Sequence, residues 1–327
     1  MNKLLQNRIA ESETAFFVSA LYAVLVWLLA GAIQHHWWLQ LGCMAVATYL
    51  IMELNNSNTL IRVRSRMVAC SFLFITSASP LLFASLRSSL LYVCIITLFR
   101  LLFRTYQDPQ SEGRMYFAFI FIGLASMVAV HVLYFVPILW LLCATQLQSL
   151  NARTWTTSFL GLLTPYWLAT PWLFLKGSLQ PAVAHFSQLA TFSPAFDFSI
   201  LPASQLATLV LIALLTLVSM IHFVQKGYED RIRIRQIFGI FSTGFVLAVL
   251  FLVVQPALYE TLLPIIFVCA SPLIAHFFTL TGTKATNVLF IATIVITVVL
   301  TLGSLFPTAT DTLVQLVSSL WSGSSIF

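Results

Sequence analysis

A chain of 327 residues that is 60% hydrophobic and only 8% charged, with mean hydropathy +0.96, does not compose a water-soluble protein, because ordinary globular chains carry about 25% charged and about 45–50% apolar residues. Those figures, with 28 Phe and 8 Trp, exclude a soluble enzyme domain, a secreted disulfide scaffold and a disordered chain, and leave an integral membrane protein with little mass outside the bilayer. The net charge of +6 is then an orientation signal and an attraction to anionic lipid, and nucleic acid is excluded as a partner.

Apolar runs of the length that crosses about 30 Å of hydrocarbon lie at 15–33, 37–54, 67–85, 89–103, 115–130, 133–149, 156–175, 204–224, 237–254, 261–280 and 286–306. None shows the alternation of an outer-membrane barrel strand. The expected fold is therefore all-α: a single polytopic transmembrane bundle of about eleven spans over 1–327. The stretch 115–150 is one kinked span or two short ones, and charge decides between them. Two spans, with the N-terminus inside, place fourteen of the sixteen Lys and Arg on the inner side, leaving only Arg87 and Lys176 outside. One span gives nine inside against seven outside, so the positive-inside bias selects two short helices turning near His131 to Pro137, and puts the C-terminus outside.

Lys3 and Arg8 ahead of an apolar run ending at Ala30-Gly31-Ala32 imitate a signal peptide. The run is longer than the about 7–15 residues of a cleaved one, and Glu11 and Glu13 precede it, so it reads as a retained first span. Cys43, Cys70, Cys94, Cys143 and Cys269 all fall within spans with no CxxC pair and read as small packing residues. The outer segment at about 177–203 is rich in Phe, Pro and Ser and is expected at the membrane interface. Asp311, before an apolar run to Trp321, reads as the N-cap of a short amphipathic tail helix over about 311–321.

Few residues suggest chemistry. Asp197, in Pro194-Ala-Phe-Asp-Phe, is the outer carboxylate best suited to general-base work, since aromatic neighbours would desolvate it and raise its pKa; the alternative is an ordinary loop aspartate. Glu260 reads as a favourable charge at a helix N-terminus. On the inner side Arg62, Arg64 and Arg66 alternate, Arg100 and Arg104 are one helical turn apart, and Arg231, Arg233 and Arg235 alternate again. Arginine forks onto phosphate, so Arg62, Arg64, Arg66, Arg100 and Arg104 are candidates for a lipid or polyprenyl-phosphate head group, against the plainer reading that they only enforce topology. The six His are scattered without metal-ligand spacing, so no metal and no cofactor is expected.

Residues 115–176 combine Met115-Tyr-Phe-Ala-Phe-Ile-Phe-Ile-Gly-Leu-Ala-Ser126, a second short helix with Pro137-Ile-Leu-Trp-Leu-Leu142, a turn at Arg153 and a span entered through Phe159-Leu-Gly-Leu-Leu163. This pattern resembles the polytopic glycosyltransferases of GT-C type that use polyprenyl-phosphate sugars. With Leu54-Asn-Asn-Ser-Asn58 and Arg104 after the fourth span, the chain also resembles an uncharacterised family of bacterial inner-membrane proteins, over about residues 45–180. The glycosyltransferase resemblance implies an acidic catalytic residue in a large first outer loop, yet here that loop is about Gln34 to His36 and holds no acid.

Three functions remain. The first is a non-catalytic or accessory subunit of bacterial envelope machinery in the inner membrane, in lipid-linked glycan handling or protein export, with membrane lipids, a polyprenyl-phosphate-linked substrate and other inner-membrane proteins as partners. The second is a glycosyltransferase-like enzyme with Asp197 as base. The third is a carrier of a lipid or hydrophobic solute built around proline-kinked helices.

Overall fold

Backbone N–H and C=O groups that leave water must be satisfied within the chain, and a single apolar run satisfies its own only as a helix. The computed structural model describes residues 4–175 and 180–306, and among them are thirteen α-helices and no strand. In chain order these are α1 (Leu5–Glu11), α2 (Thr14–Leu29), α3 (Trp38–Asn58), α4 (Met67–Ser77), α5 (Leu86–Leu102), α6 (Glu112–Val128) and α7 (Val136–Thr145). They continue with α8 (Ala152–Leu175), α9 (Gln180–Ser187), α10 (Ala203–Lys226), α11 (Ile232–Val254), α12 (Tyr259–Leu280) and α13 (Lys284–Leu305).

A helix overlies each of the eleven apolar segments, but five of them are long and apolar enough to cross a membrane: α5 with its 3-10 extension, α10, α11, α12 with its 3-10 entry, and α13. The segment 67–85 is not one helix. α4 stops after 11 residues, because Pro80 restricts the residue before it, and a short 3-10 turn at Pro80–Leu82 follows. Between α6 and α7 the chain does break, in a 3-10 stretch at Val130–Phe135.

The architecture is organised around α12, which packs against α4, α5, α10 and α11 and is buried without interruption from Thr261 to Thr279. A helix apolar all round belongs in the interior, and its few polar groups need internal partners. Pro264 has no N–H to offer the carbonyl of Glu260 one turn back; the Ser88 hydroxyl donates to that carbonyl instead, at 2.8 Å. The Glu260 carboxylate in turn accepts from the Ser85 hydroxyl at 3.0 Å, which joins the starts of α12 and α5. Around this axis lie layers of rings, such as Phe103 and Phe238 each edge-on to Phe241.

α6 and α8 form the tightest peripheral pair. A Cβ on Gly123 would stand 2.6 Å from the Leu162 carbonyl oxygen, and one on Gly161 would collide with the Tyr116 carbonyl. Small residues that let helix backbones meet are the usual solution to packing without a hydrophobic drive between helices. Ser126 and Tyr166 then bridge the same pair through their hydroxyls, 2.6 Å apart.

At the start of the chain, α1 turns 91° into α2. α1 lies against the turn between α12 and α13, where buried Gln6 donates through Nε2 to the Thr281 carbonyl at 2.5 Å and its backbone N–H donates to Asn287 Oδ1 at 3.0 Å. At the opposite end, the segment before α10 is tied down: Tyr134 donates to the Leu189 carbonyl at 2.6 Å and Gln255 to the Ser193 carbonyl at 3.1 Å. The proposed tail helix at 311–321 lies outside the described residues.

The glycine contact gives a test. Gly161→Ala pushes a methyl into a carbonyl that cannot swing aside, so it is expected to destabilise the detergent-solubilised protein by about 1–3 kcal/mol, read as a lowered transition in a thermal fluorescence scan, whereas Gly42→Ala, inside α3 where a Cβ meets nothing within 4 Å, holds or raises the transition through helix propensity.

Candidate functional site

Two turns meet at the end of the bundle where α3, α10 and α12 finish. The first is the strap between α3 and α4. Thr59 closes α3 in the left-handed region, φ 49°, a costly conformation for a β-branched residue. It lets the Leu60 N–H bond back to the Asn55 carbonyl at 3.3 Å and turns the chain across the bundle end. The strap is then pinned from below: Ser65 donates through Oγ to the Ala10 carbonyl at 2.5 Å, and Asn55 donates through Nδ2 to the Ser65 carbonyl at 3.0 Å. The second turn, Gly227–Glu229 with Asp230 and Arg231, links α10 to α11, and Arg231 is the N-cap of α11.

Between the two turns is a polar cavity of about 490 Å³, with Asn55, Arg62 and Arg64 on one wall and Glu229, Asp230 and Arg231 on the other. Arg62 and Glu229 close one rim through a contact of 2.7 Å. Asp230 turns inward, where Oδ2 accepts from His276 Nε2 at 2.9 Å, with both side chains no more than 5% exposed. The pair sits against the rings of Phe223 and Phe238, whose centroids lie 5.2 and 4.7 Å from the His276 ring. Arg64 and Arg231 also line the cavity; Arg64 is 95% exposed and pairs with Glu13 at 4.0 Å. Asn55 is 7% exposed, and its Oδ1 has no hydrogen-bond partner among the described residues. The cavity thus offers arginine side chains in its lining, while the Asn55 carbonyl oxygen is sealed away from it.

The sequence candidates separate in space. Arg62 and Arg64 line this cavity. Arg66 points away from it, with its guanidinium carbon 6.0 Å from the Phe16 ring centroid. Arg100 lies 3.4 Å from Glu53 of α3, both about one-third exposed, so it ties α5 to α3. Arg104 is exposed, and its carbonyl accepts from Arg114. Asp197 lies at the other end of α10, whose 24 residues span about 36 Å at 1.5 Å per residue. No single site brings Asp197 and these arginines together.

The expectation of a raised pKa at Asp197 is corrected by its surroundings. Its carboxylate accepts from the Ser199 hydroxyl at 2.6 Å and from the Ser199 backbone N–H at 3.1 Å. Both bonds hold the carboxyl below its ordinary 3.8. The aspartate caps a short 3-10 turn at Phe198–Ile200.

Sequence reasoning missed Glu229, Asp230, His276 and Asn55 as members of one site, since they come from three segments far apart in the chain. Arg233 was grouped with its neighbours by alternation alone. It donates through Nη2 to Asn58 Oδ1 at 2.9 Å and to the Phe103 carbonyl at 3.0 Å, so it braces the wall of the cavity. No protein-family model, no curated protein and no solved structure matches the chain.

The Asp197 geometry predicts a pH dependence of definite sign. A carboxyl with a depressed folded pKa contributes stability that is present above the ordinary value of 3.8 and lost as pH falls through the depressed one. Proteolysis of the 193–201 segment should therefore quicken in the native chain as pH falls through the depressed value, lose that pH dependence in Asp197→Asn, and be accelerated at neutral pH by Asp197→Ala. A segment indifferent to the alanine refutes the capping role.

Proposed function

We propose that the protein is a multi-pass subunit of the bacterial inner membrane that serves envelope machinery by holding a phosphate-headed lipid, its arginine-rich end facing the cytoplasm. The observation that carries this reading is the cavity between the strap and the α10–α11 turn, with Arg62, Arg64 and Arg231 in its lining. Guanidinium suits phosphate because its fork of donors matches two phosphate oxygens at once. A polyprenyl phosphate presents such a group.

Orientation supports the same assignment. An eleven-span path with the N-terminus inside places the strap, the α10–α11 turn and the α12–α13 turn on the cytoplasmic side together, where the charge bias puts arginines. The short α4 and α7, of 11 and 10 residues, then complete their crossings through the adjoining 3-10 turns at Pro80–Leu82 and Val130–Phe135. The resemblance to polyprenyl-phosphate-dependent glycosyltransferases over about 45–180 enters as a shared lipid-binding task, with Asp197 in a capping role. The bundle devotes nearly all its mass to the membrane, which suits a subunit working beside a catalytic partner.

Native mass spectrometry of the chain extracted in mild detergent tests the assignment. Expected are a retained polyprenyl-phosphate-linked mass and a stoichiometric protein partner. Replacing Arg64 and Arg231 by Gln should weaken polyprenyl phosphate by about tenfold or more, since a charge-assisted hydrogen bond contributes about 1.5–3 kcal/mol. Unaltered affinity in that variant sinks the phosphate site, and a chain that emerges alone and lipid-free sinks the subunit reading. Topology is checked separately: reporters fused after Arg153 and after Lys284 should both report the cytoplasm, and a periplasmic signal from either overturns the eleven-span path.

A further inference from the structure

A second cavity lies deeper in the bundle, on the far side of the strap from the arginine-lined one. It is a groove of about 370 Å³ walled by the α1–α2 elbow, α4, α10, α12 and α13. α4 contributes one continuous stripe, Met67, Cys70, Ser71, Phe74, Ile75 and Ala78, the i, i+3, i+4, i+7 pattern of a single helix face. From Met67 to Ala78 that stripe rises about 16 Å at 1.5 Å per residue. The opposite wall carries Thr293 and Thr297 of α13, and the Thr293 hydroxyl is occupied, donating to the Leu289 carbonyl at 2.8 Å.

Of the five walls, α10, α12 and α13 are long and apolar enough to cross a membrane, so the groove lies at hydrocarbon depth. Its contents follow by elimination. An apolar void of this kind stays dry. A partner helix, about 10–12 Å across with its side chains, does not enter it. A hydrocarbon chain does, and the groove's length matches one leaflet, roughly half of the about 30 Å hydrocarbon core. A polyprenyl chain, several times longer and carrying a methyl branch on every isoprene unit, does not match this length.

The mouth of the groove is polar and charged. Ser12 and Thr14 line it, their hydroxyls 2.6 Å apart. Arg66 stands beside it, 3.9 Å from Glu13 and held over the Phe16 ring. That is the depth at which a phosphodiester head group sits when its chain fills the groove below.

We propose that this groove is a phospholipid site: one acyl chain lies between α4 and α13, and its phosphodiester is met by Arg66 at the α1–α2 elbow. The site is separate from the arginine-lined cavity and stands whether or not that cavity takes a phosphate. It gives Arg66 a task that the first cavity does not.

The test uses the full chain in mild detergent with a phosphatidylglycerol that carries a diazirine midway along one acyl chain, irradiated and mapped by peptide mass spectrometry. Adducts are expected at Phe74, Thr293 and Thr297, displaced by unlabelled phosphatidylglycerol. Ala15→Phe, which fills the groove from α2, should lower them about tenfold, because an overfilled apolar site excludes its occupant. Thr293→Trp fills it from the other wall and should do the same. Val288→Phe, at a position 64% exposed on the outside of α13, should leave them unchanged. Adducts scattered over outward positions such as Val288 and Val295, or labelling indifferent to both filling variants, overturn the site. Displacement by polyprenyl phosphate but not by phosphatidylglycerol also overturns it and assigns the groove to an isoprenoid chain.

Discussion

A helix buried on every side finds partners only on its neighbours, and α12 imposes that condition on everything around it. At its start and within its uninterrupted burial from Thr261 to Thr279, two polar groups are answered by neighbouring elements. Ser88 repairs the carbonyl freed by Pro264, which fixes α5 in height. Asp230 answers His276, which draws the α10–α11 turn inward at the other end. The two repairs lie at opposite ends of one rod and set the register of three helices against it.

The polar cavity is a by-product of the second repair. Because Asp230 is turned into the bundle, its neighbours Glu229 and Arg231 are left at the rim, facing the strap. The strap reaches that position through the left-handed Thr59, the kind of backbone strain that persists only where surrounding contacts over-determine it. Those contacts are the bonds from Asn55 and Ser65 and, one helix over, Arg233 on Asn58. The Asn-rich end of α3 thus builds the wall of a site and does not merely end a helix.

Hydropathy made the helices legible, because a bilayer-length apolar run is a long and redundant signal, and the charge bias singled out the break between α6 and α7. Ends were less legible: α3 runs on through its asparagines to Asn58 and α11 begins at Ile232, ahead of the apolar run, since polar residues bonded to other helices can extend an element that composition alone would stop. The paired-helix pattern that carried the family resemblance has a packing origin as well, for its Gly123 and Gly161 are the two points where α6 and α8 touch backbone to side. Two of the five arginine candidates, Arg62 and Arg64, converged on one cavity and three did not. Which of them share a space depends on helix adjacency, and Asp230 with His276 or Arg100 with Glu53 are pairings that no local pattern announces.

The docking of α1 bears on how such a chain is made. Its anchor, Gln6, is wholly buried, and its partners Thr281 and Asn287 flank the turn between α12 and α13. Chains emerge from the ribosome N-terminal end first, so α1 must wait, with buried-type polar groups unmatched, until the α12–α13 turn arrives. The latch therefore closes late, joining segments 275 to 281 residues apart in sequence only after every helix between them has been made.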